Sequence, residues 1–399
     1  MKLLWLDLNS SYAHSSLALP ALHAQIADDT TIEWCIVSAT INENTGMVVS
    51  RIHKHRPDII AATNWLFNHE QLLHIISRAK ALLPHCCIVL GGPEFLGNNE
   101  AFLRKNKFVS GVFRGEGEEV FPIWLKVWNH PVSEWNQVSG LCYLDESDRY
   151  QDNGIARVMN FSQLVSPEKS SFFNWSKPFV QLETTRGCFN TCAFCVSGGE
   201  KPVRTISLEA IRERLNVIHQ HGIKNVRVLD RTFNYNNKRA KELLHLFREY
   251  APDICFHLEI HPALLSEELK EELAVLPSGL LHLEAGIQSL REPVLEKSRR
   301  IGKLSDALQG LKYLCSLKNM ETHADLIAGL PLYHLSEIFE DVRTLAEYGA
   351  GEIQLESLKL LPGTEMRRRA EELGIQYSPL PPYEVLQTKE ISVEELQTA

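Results

Sequence analysis

No stretch of this 399-residue chain approaches the roughly 20 consecutive apolar residues that a membrane span requires. The apolar start, MKLLWLDL, is interrupted by Asp7 and does not begin one. Positive charge is also scarce: 41 Lys and Arg face 50 Asp and Glu, for a net charge of -9. That balance disfavours a polybasic membrane anchor or a non-specific nucleic-acid coat, although a local basic groove remains open. A disulfide framework is missing too. The nine cysteines are odd in number and unevenly spread, which suits reduced thiols and a metal site, and a cytoplasmic location is expected. What the chain does have is size: 44% hydrophobic residues over this length give room for two globular cores.

The hydrophobic pattern alternates strand and helix in two blocks. In the first, KLLWLDL (2–8), IEWCIV (32–37), DIIAAT (58–63), CCIVLGG (86–92) and VSGVFRG (109–115) read as short buried strands. Helical patterns lie between them at 15–27, 43–55, 69–82 and 117–128. This predicts a doubly wound, Rossmann-like parallel sheet over 1–135, whose ligands sit at the carboxyl ends of the strands. Residues 136–176 are polar and turn-rich and are expected to be a connector. Over 177–375 the alternation resumes with FVQLET, NVRVLD, CFHLEI, LLHLEAG, THADLIAG and EIQLESLKL. Strand-helix units in such a series predict a partial (β/α)6 barrel, followed by a tail over 376–399. Several strand ends are polar: Glu183, Asp230 and Arg231, Glu259, Gln288 and Asp325. One acid at a strand end is commonly a helix cap; a ring of them at one mouth suggests a site.

Three cysteines crowd the loop after the first strand of the second block. Cys188, Cys192 and Cys195 have the spacing CxxxCxxC within RGCFNTCAFC. Structural zinc wants four closed ligands, and the nearest histidines, His219 and His221, lie along a predicted helix. A redox CxxC formed by Cys192 and Cys195 leaves the third thiol unexplained. Burial in a core is the plainest alternative, but a Gly-Cys-Phe-Asn turn is a poor core segment. Three thiolates can also hold three irons of a 4Fe-4S cluster and leave the fourth iron open for chemistry.

RGCFNTCAFC resembles the cluster loop of the radical S-adenosylmethionine (SAM) enzymes, including the aromatic Phe194 just before the third cysteine. TNWLFN, VLGGPEF and RGEGEEVFP resemble the cobalamin-binding domain that precedes the barrel in one large subclass. LDLNSSYAHSSLALPAL, LDRTFNYN and PPYEVLQTKEISVEEL are similar to an uncharacterised group within that subclass. The resemblance implies a 4Fe-4S cluster on Cys188, Cys192 and Cys195 and SAM on its open iron. Phe194 would lie beside the adenine, and Arg231, Glu259, Gln288 and Asp325 would line the methionine and ribose pocket.

Two departures from the family pattern stand out. The Gly-Gly-Glu element expected at the end of the second barrel strand is replaced by Leu229-Asp230-Arg231, so Asp230 is the expected substitute for the amino-group contact. The GGE at 198–200 follows the cluster loop too closely to serve. The histidine-supplying Asp-x-His-x-x-Gly of many cobalamin domains is also absent, and His14 stands in the wrong place. The resemblance therefore implies base-off cobalamin, held by backbone and small polar contacts near Thr63, Gly91, Gly92 and Glu116.

The implied activity is that of a cobalamin-dependent radical SAM methyltransferase acting at an unactivated carbon or phosphorus centre. A cobalamin-using radical cyclase or rearrangement enzyme is the alternative, and a non-catalytic iron-sulfur protein for electron transfer or sensing is the alternative of another class. Methylthiolation is disfavoured because Cys35, Cys86 and Cys87 sit inside predicted strands, where consecutive residues point to opposite faces. The expected partners are a small-molecule or peptide substrate and a reductant such as flavodoxin or ferredoxin, without nucleic acid or membrane.

Overall fold

The computed structural model describes residues 1–11, 13 and 16–399, so His14 lies outside the described residues. It divides into two compact units, Met1–Lys177 and Pro178–Ala399.

The first unit is built on seven strands: β1 (Lys2–Asn9), β2 (Glu33–Thr40), β3 (Ile59–Thr63), β4 (Cys87–Gly91), β5 (Gly111–Phe113), β6 (Leu141–Leu144) and β7 (Tyr150–Asp152). Their order is β2-β1-β3-β4-β5-β6-β7. The pairings from β2 through β5 are parallel, and β6 and β7 add antiparallel. The helical crossovers include α1 (Ala18–Ala24), α2 (Thr45–His55) and α3 (His69–Leu82). Alternation along β1 sorts its side chains: Leu4, Leu6 and Leu8 join one core with Val48, Ile52, Leu72 and Ile76, while Leu3 and Trp5 join another with Phe121 and Trp124. A sheet covered on both faces needs such near-continuous apolar strands. The same alternation separates Cys86 from Cys87, which belong to different cores. The stretch read as a connector behaves otherwise than expected. Its LCYL and YQD segments are β6 and β7, short enough to be masked by the turn residues around them.

The second unit carries six strands paired in parallel: β8 (Val180–Leu182), then, beyond a two-residue pair formed by β9 (Thr185–Arg186) and β10 (Arg204–Thr205), β11 (Asn225–Val228), β12 (Cys255–Ile260), β13 (Leu281–Gln288), β14 (Glu321–Ala328) and β15 (Glu352–Ser357). The order runs β8-β11-β12-β13-β14-β15, that of a partial barrel whose strands follow one another in sequence. Each strand splits into two faces. Phe256, Leu258 and Ile260 of β12 and Leu281, Leu283 and Ala285 of β13 are buried apolar residues. His257, Glu259, His282, Glu284, His323 and Asp325 alternate with the apolar set and share the opposite, polar face. The segment read as a tail is packed as well. Val385 and Ile391 join Leu330, Leu360, Met366 and Ala193 of the cysteine loop in one apolar cluster. Among the described residues, no helix is long and apolar enough to cross a membrane.

Candidate cluster and cofactor site

The cysteine loop starts where β8 ends, and its backbone is fixed from several sides. Gly187 has a φ of 100°, a conformation that favours glycine, and a Cβ there would lie 2.7 Å from the Glu200 carbonyl oxygen. Cys188 N–H donates to that same carbonyl at 3.0 Å. Farther along, Cys195 N–H donates to Cys192 O at 3.2 Å and Gly198 N–H to Cys195 O at 3.1 Å. A Cβ on Gly198 would collide with the Cys192 carbonyl oxygen. Asn190 binds the loop to the segment after β13: its Oδ1 accepts from Ile301 N–H at 2.9 Å and from the Cys192 thiol at 3.3 Å.

All three thiols are free, Cys188 and Cys192 buried and Cys195 partly so. Burial pushes the thiols of Cys192 and Cys195 up; the neighbouring Cys195 and Cys188 raise Cys192 further, and Cys188 raises Cys195. Arg300 opposes this at Cys192, with Nη1 at 3.7 Å from Sγ. Among the described residues, no group of three or more His, Cys, Asp or Glu is arranged to hold a metal ion. A cluster does not ask for convergence on a point, because each thiolate serves a different iron. Three soft donors on a glycine-shaped loop suit a 4Fe-4S cluster with one open iron.

The strand-end residues named from the sequence fall into two sets. Arg231, Glu259 and Asp325 come together beside the loop. Arg231 and Glu259 both act on Cys195, and Glu259 acts on Asp325. Burial drives the carboxyl of Glu259 up to about 7, partly offset by Arg231, and drives that of Asp325 up to about 7, with Glu284 and Glu259 adding to the rise. Asp325 Oδ1 is buried without a partner among the described residues. Gln288 closes β13 beside a register shift, at a left-handed φ of 72°. The second set is engaged elsewhere. Asp230 is buried and accepts from the backbone of Thr184 at 2.8 Å and of Thr185 at 2.9 Å, and from the Thr184 hydroxyl. Its carboxylate ties β11 to the residues entering the cysteine loop rather than standing free for a ligand. Phe194 packs against the apolar cluster that includes Leu360 and Met366.

In the first unit, Thr63 and Gly91 are register partners at the carboxyl ends of β3 and β4, next to Gly92. Gly92 has a φ of 109°, and a Cβ would lie 2.6 Å from Asn64 O. Glu116 is committed to the protein's own backbone, accepting from Val158 N–H at 2.6 Å. Sequence reasoning missed Asn64 and His69. Asn64 is fully buried with Oδ1 unpartnered among the described residues, and its Nδ2 lies 3.1 Å from His69 Nδ1. A glycine cradle beside an orphaned amide oxygen suits a polar organic cofactor at this edge. Arg300 was also missed, since nothing in SRRIG separates it from Arg299, which pairs with Glu365.

Comparison with known proteins agrees with this geometry. The model of the B12 binding domain matches residues 8–125, and that of the radical SAM superfamily matches residues 182–345. An uncharacterised methyltransferase of Pyrococcus horikoshii is 25% identical over 79% of this chain and 70% of its own length. The cobalamin-dependent radical SAM methyltransferase TokK of Streptomyces tokunonensis is 20% identical over 81% of this chain, which spans 50% of that relative. Among solved structures, the radical SAM methyltransferase TsrM of Kitasatospora setae, with cobalamin and a 4Fe-4S cluster bound, superposes with a TM-score of 0.73 at 18% identity, over 99% of this chain and 80% of that one. At that identity the superposition speaks for the fold. The two domain matches, in this order along one chain, place the protein among those that carry a B12-binding domain ahead of a radical SAM domain.

Proposed function

We propose that this protein is a cobalamin-dependent radical SAM methyltransferase acting at an unactivated centre. The observation that carries the reading is the CxxxCxxC loop at the carboxyl end of β8, opening a six-stranded parallel sheet in a chain that also carries a B12-binding domain. When bound, the cluster, SAM and cobalamin supply the radical and methyl-transfer chemistry. The protein's part is to hold and orient them. Cys188, Cys192 and Cys195 supply the thiolates, with Arg300 placing positive charge beside Cys192. Arg231 suits the carboxylate of SAM, and Glu259 and Asp325 offer acceptors to its amino and ribose groups. Gly91, Gly92, Thr63 and Asn64 offer cobalamin a backbone-lined edge. Without Asp-x-His-x-x-Gly, the cofactor is held base-off.

The substrate in this reading is a small molecule or peptide, the electrons come from a flavodoxin- or ferredoxin-type donor, and the oxygen-sensitive cluster suits the cytoplasm. The test is the fate of SAM with its methyl group deuterated. Methionine and 5'-deoxyadenosine should appear with an equal amount of S-adenosylhomocysteine, and the label should reach the product. 5'-Deoxyadenosine without S-adenosylhomocysteine or label transfer would replace methyl transfer with a radical cyclisation or rearrangement.

A further inference from the structure

Three histidines occupy neighbouring strands on the polar face of the second unit, and neither cluster nor cofactor binding uses them. His257 on β12 stacks on His282 of β13 at 4.6 Å, and His282 meets His323 of β14 edge-on at 4.1 Å. Each ring has a carboxylate: His257 Nε2 lies 3.0 Å from Glu284, His282 Nδ1 3.5 Å from Glu321, and His323 Nε2 3.0 Å from Glu352. The first pair differs from the others. Glu321 and Glu352 begin their strands, with side chains 81% and 59% exposed, whereas Glu284 lies mid-strand at 35%.

The hydrogen bond from His257 holds the Glu284 carboxyl below its ordinary range, so Glu284 is an anion at neutral pH and Nε2 of His257 carries the proton. That leaves Nδ1 as the free lone pair, without a partner among the described residues, on a side chain that is 25% exposed. An imidazole anchored at one nitrogen by a carboxylate has a fixed tautomer and orientation, and its cation is stabilised. The other groups facing His257 are Arg227 on β11, Cys255 and Glu259 on its own strand, His282 on β13, and His323, Asp325 and Glu321 on β14. Arg227 is turned over the Phe179 ring at 4.5 Å, which leaves Glu284 as the anion bonded to the imidazole.

We propose that His257 is a general base of this site, oriented by Glu284, and that the substrate carries an ionisable O–H or N–H at or beside its reacting atom. The proposal rests on the radical SAM reading above. In the step it describes, the O–H or N–H bond breaks heterolytically, the electron pair stays on the substrate oxygen or nitrogen, and the proton moves to Nδ1 of His257. No electron is exchanged. The imidazolium is held by the Glu284 carboxylate until the proton passes to water. His257 is the catalytic residue and Glu284 a positioning residue.

The test uses the full chain loaded with cluster and cobalamin. Diethyl pyrocarbonate acylation of His257, followed by peptide mass spectrometry across pH, reads the protonation of the ring. A small-molecule extract of the cells that make the protein serves as the substrate source, with 5'-deoxyadenosine formation above the extract-free rate as the readout. In Glu284→Gln, the labelling midpoint should move to lower pH because the stabilising anion is gone, and the acid limb of the extract-stimulated rate should move with it. His257→Gln should lower that rate by about a hundredfold. Glu284→Asp, which keeps the charge, should restore part of the wild-type profile. A rate limb that stays fixed while labelling moves, or a labelling midpoint indifferent to Glu284→Gln, overturns the proposal. Wild-type protein that makes no 5'-deoxyadenosine under any condition overturns the radical SAM reading instead, and the proposal with it.

Discussion

Asp230 accepts a hydrogen bond from the backbone N–H of Thr184 at 2.8 Å, tying the segment just after β11 to the short link between β8 and β9. The bond lies four residues before Cys188, and Thr185 N–H joins it at 2.9 Å. A buried carboxylate is costly to keep. Here it satisfies backbone donors that the entry into the cysteine loop would otherwise leave unpaired.

Asp230→Ala should therefore cost about 3 kcal/mol, since it orphans two buried N–H groups. Asp230→Asn keeps one acceptor and should cost less. Urea unfolding of the two variants gives the order, and iron content after reconstitution should fall in the same order. A variant as stable as wild type would return Asp230 to the ligand role suggested by its position.

Gly198→Ala should block cluster loading, because the added Cβ meets the Cys192 carbonyl oxygen, a backbone atom that cannot swing aside. Gly199→Ala is the control. Gly199 has a positive φ, of 77°, which Gly198 does not, but a Cβ there meets nothing within 4 Å, so its cost should be near 1 kcal/mol of strain with loading retained. Iron and sulfide analysis of both variants, at matched folded fraction, separates a steric effect from general destabilisation.

Met366 is fully buried, and its N–H donates to Ala193 O at 2.8 Å, inside the cysteine loop. Met366→Ala should cost about 3 kcal/mol as a core truncation and loosen the loop between Cys192 and Cys195. Hydrogen exchange of the Ala193–Cys195 amides should rise above that of β13. Equal protection of these amides in Met366→Ala and the wild type would mean that the C-terminal packing does not support the loop.

Asp325 gives a pH dependence with a definite sign. Burial raises its carboxyl from an ordinary 3.8 to about 7, so the folded chain holds this proton more tightly than the unfolded one. The stabilising contribution is complete below about pH 4 and is lost as pH rises to about 7. Asp325→Asn lacks this linkage. Relative to wild type it should gain stability from pH 4 to 7, by a few kcal/mol at most, and the difference should level off above pH 7. Urea midpoints of cluster-free protein at pH 5 and pH 8 check it; a difference that is constant with pH would remove the raised carboxyl from the account.

How far the sequence reveals the structure depends on whether a residue's role is local. The barrel strands are legible because alternation is written in each one, as in CFHLEI, where Phe256, Leu258 and Ile260 are buried. The cysteine loop is legible because its chemistry is carried by spacing. β6 and β7 escape because three- and four-residue strands between turn formers leave too little periodicity to read. In the sequence Asp230 and Glu116 read as ligand contacts, because an acid at a strand end looks alike whether it meets a cofactor or the backbone of Thr184 or Val158. Arg300 and the His257–Glu284 pair escape for a related reason: their partners lie 108 and 27 residues away, a relation that no local pattern records.

The central claim is that Cys188, Cys192 and Cys195 hold an iron-sulfur cluster with one iron open to SAM, and electron paramagnetic resonance tests it most directly. Anaerobically reconstituted protein should contain about four irons and four sulfides per chain. On reduction it should show the signal of a 4Fe-4S cluster, and that signal should change when SAM is added. Cys188→Ala, Cys192→Ala and Cys195→Ala should each abolish it. Protein that binds one zinc and no iron, or a reduced cluster whose signal is indifferent to SAM, would contradict the account.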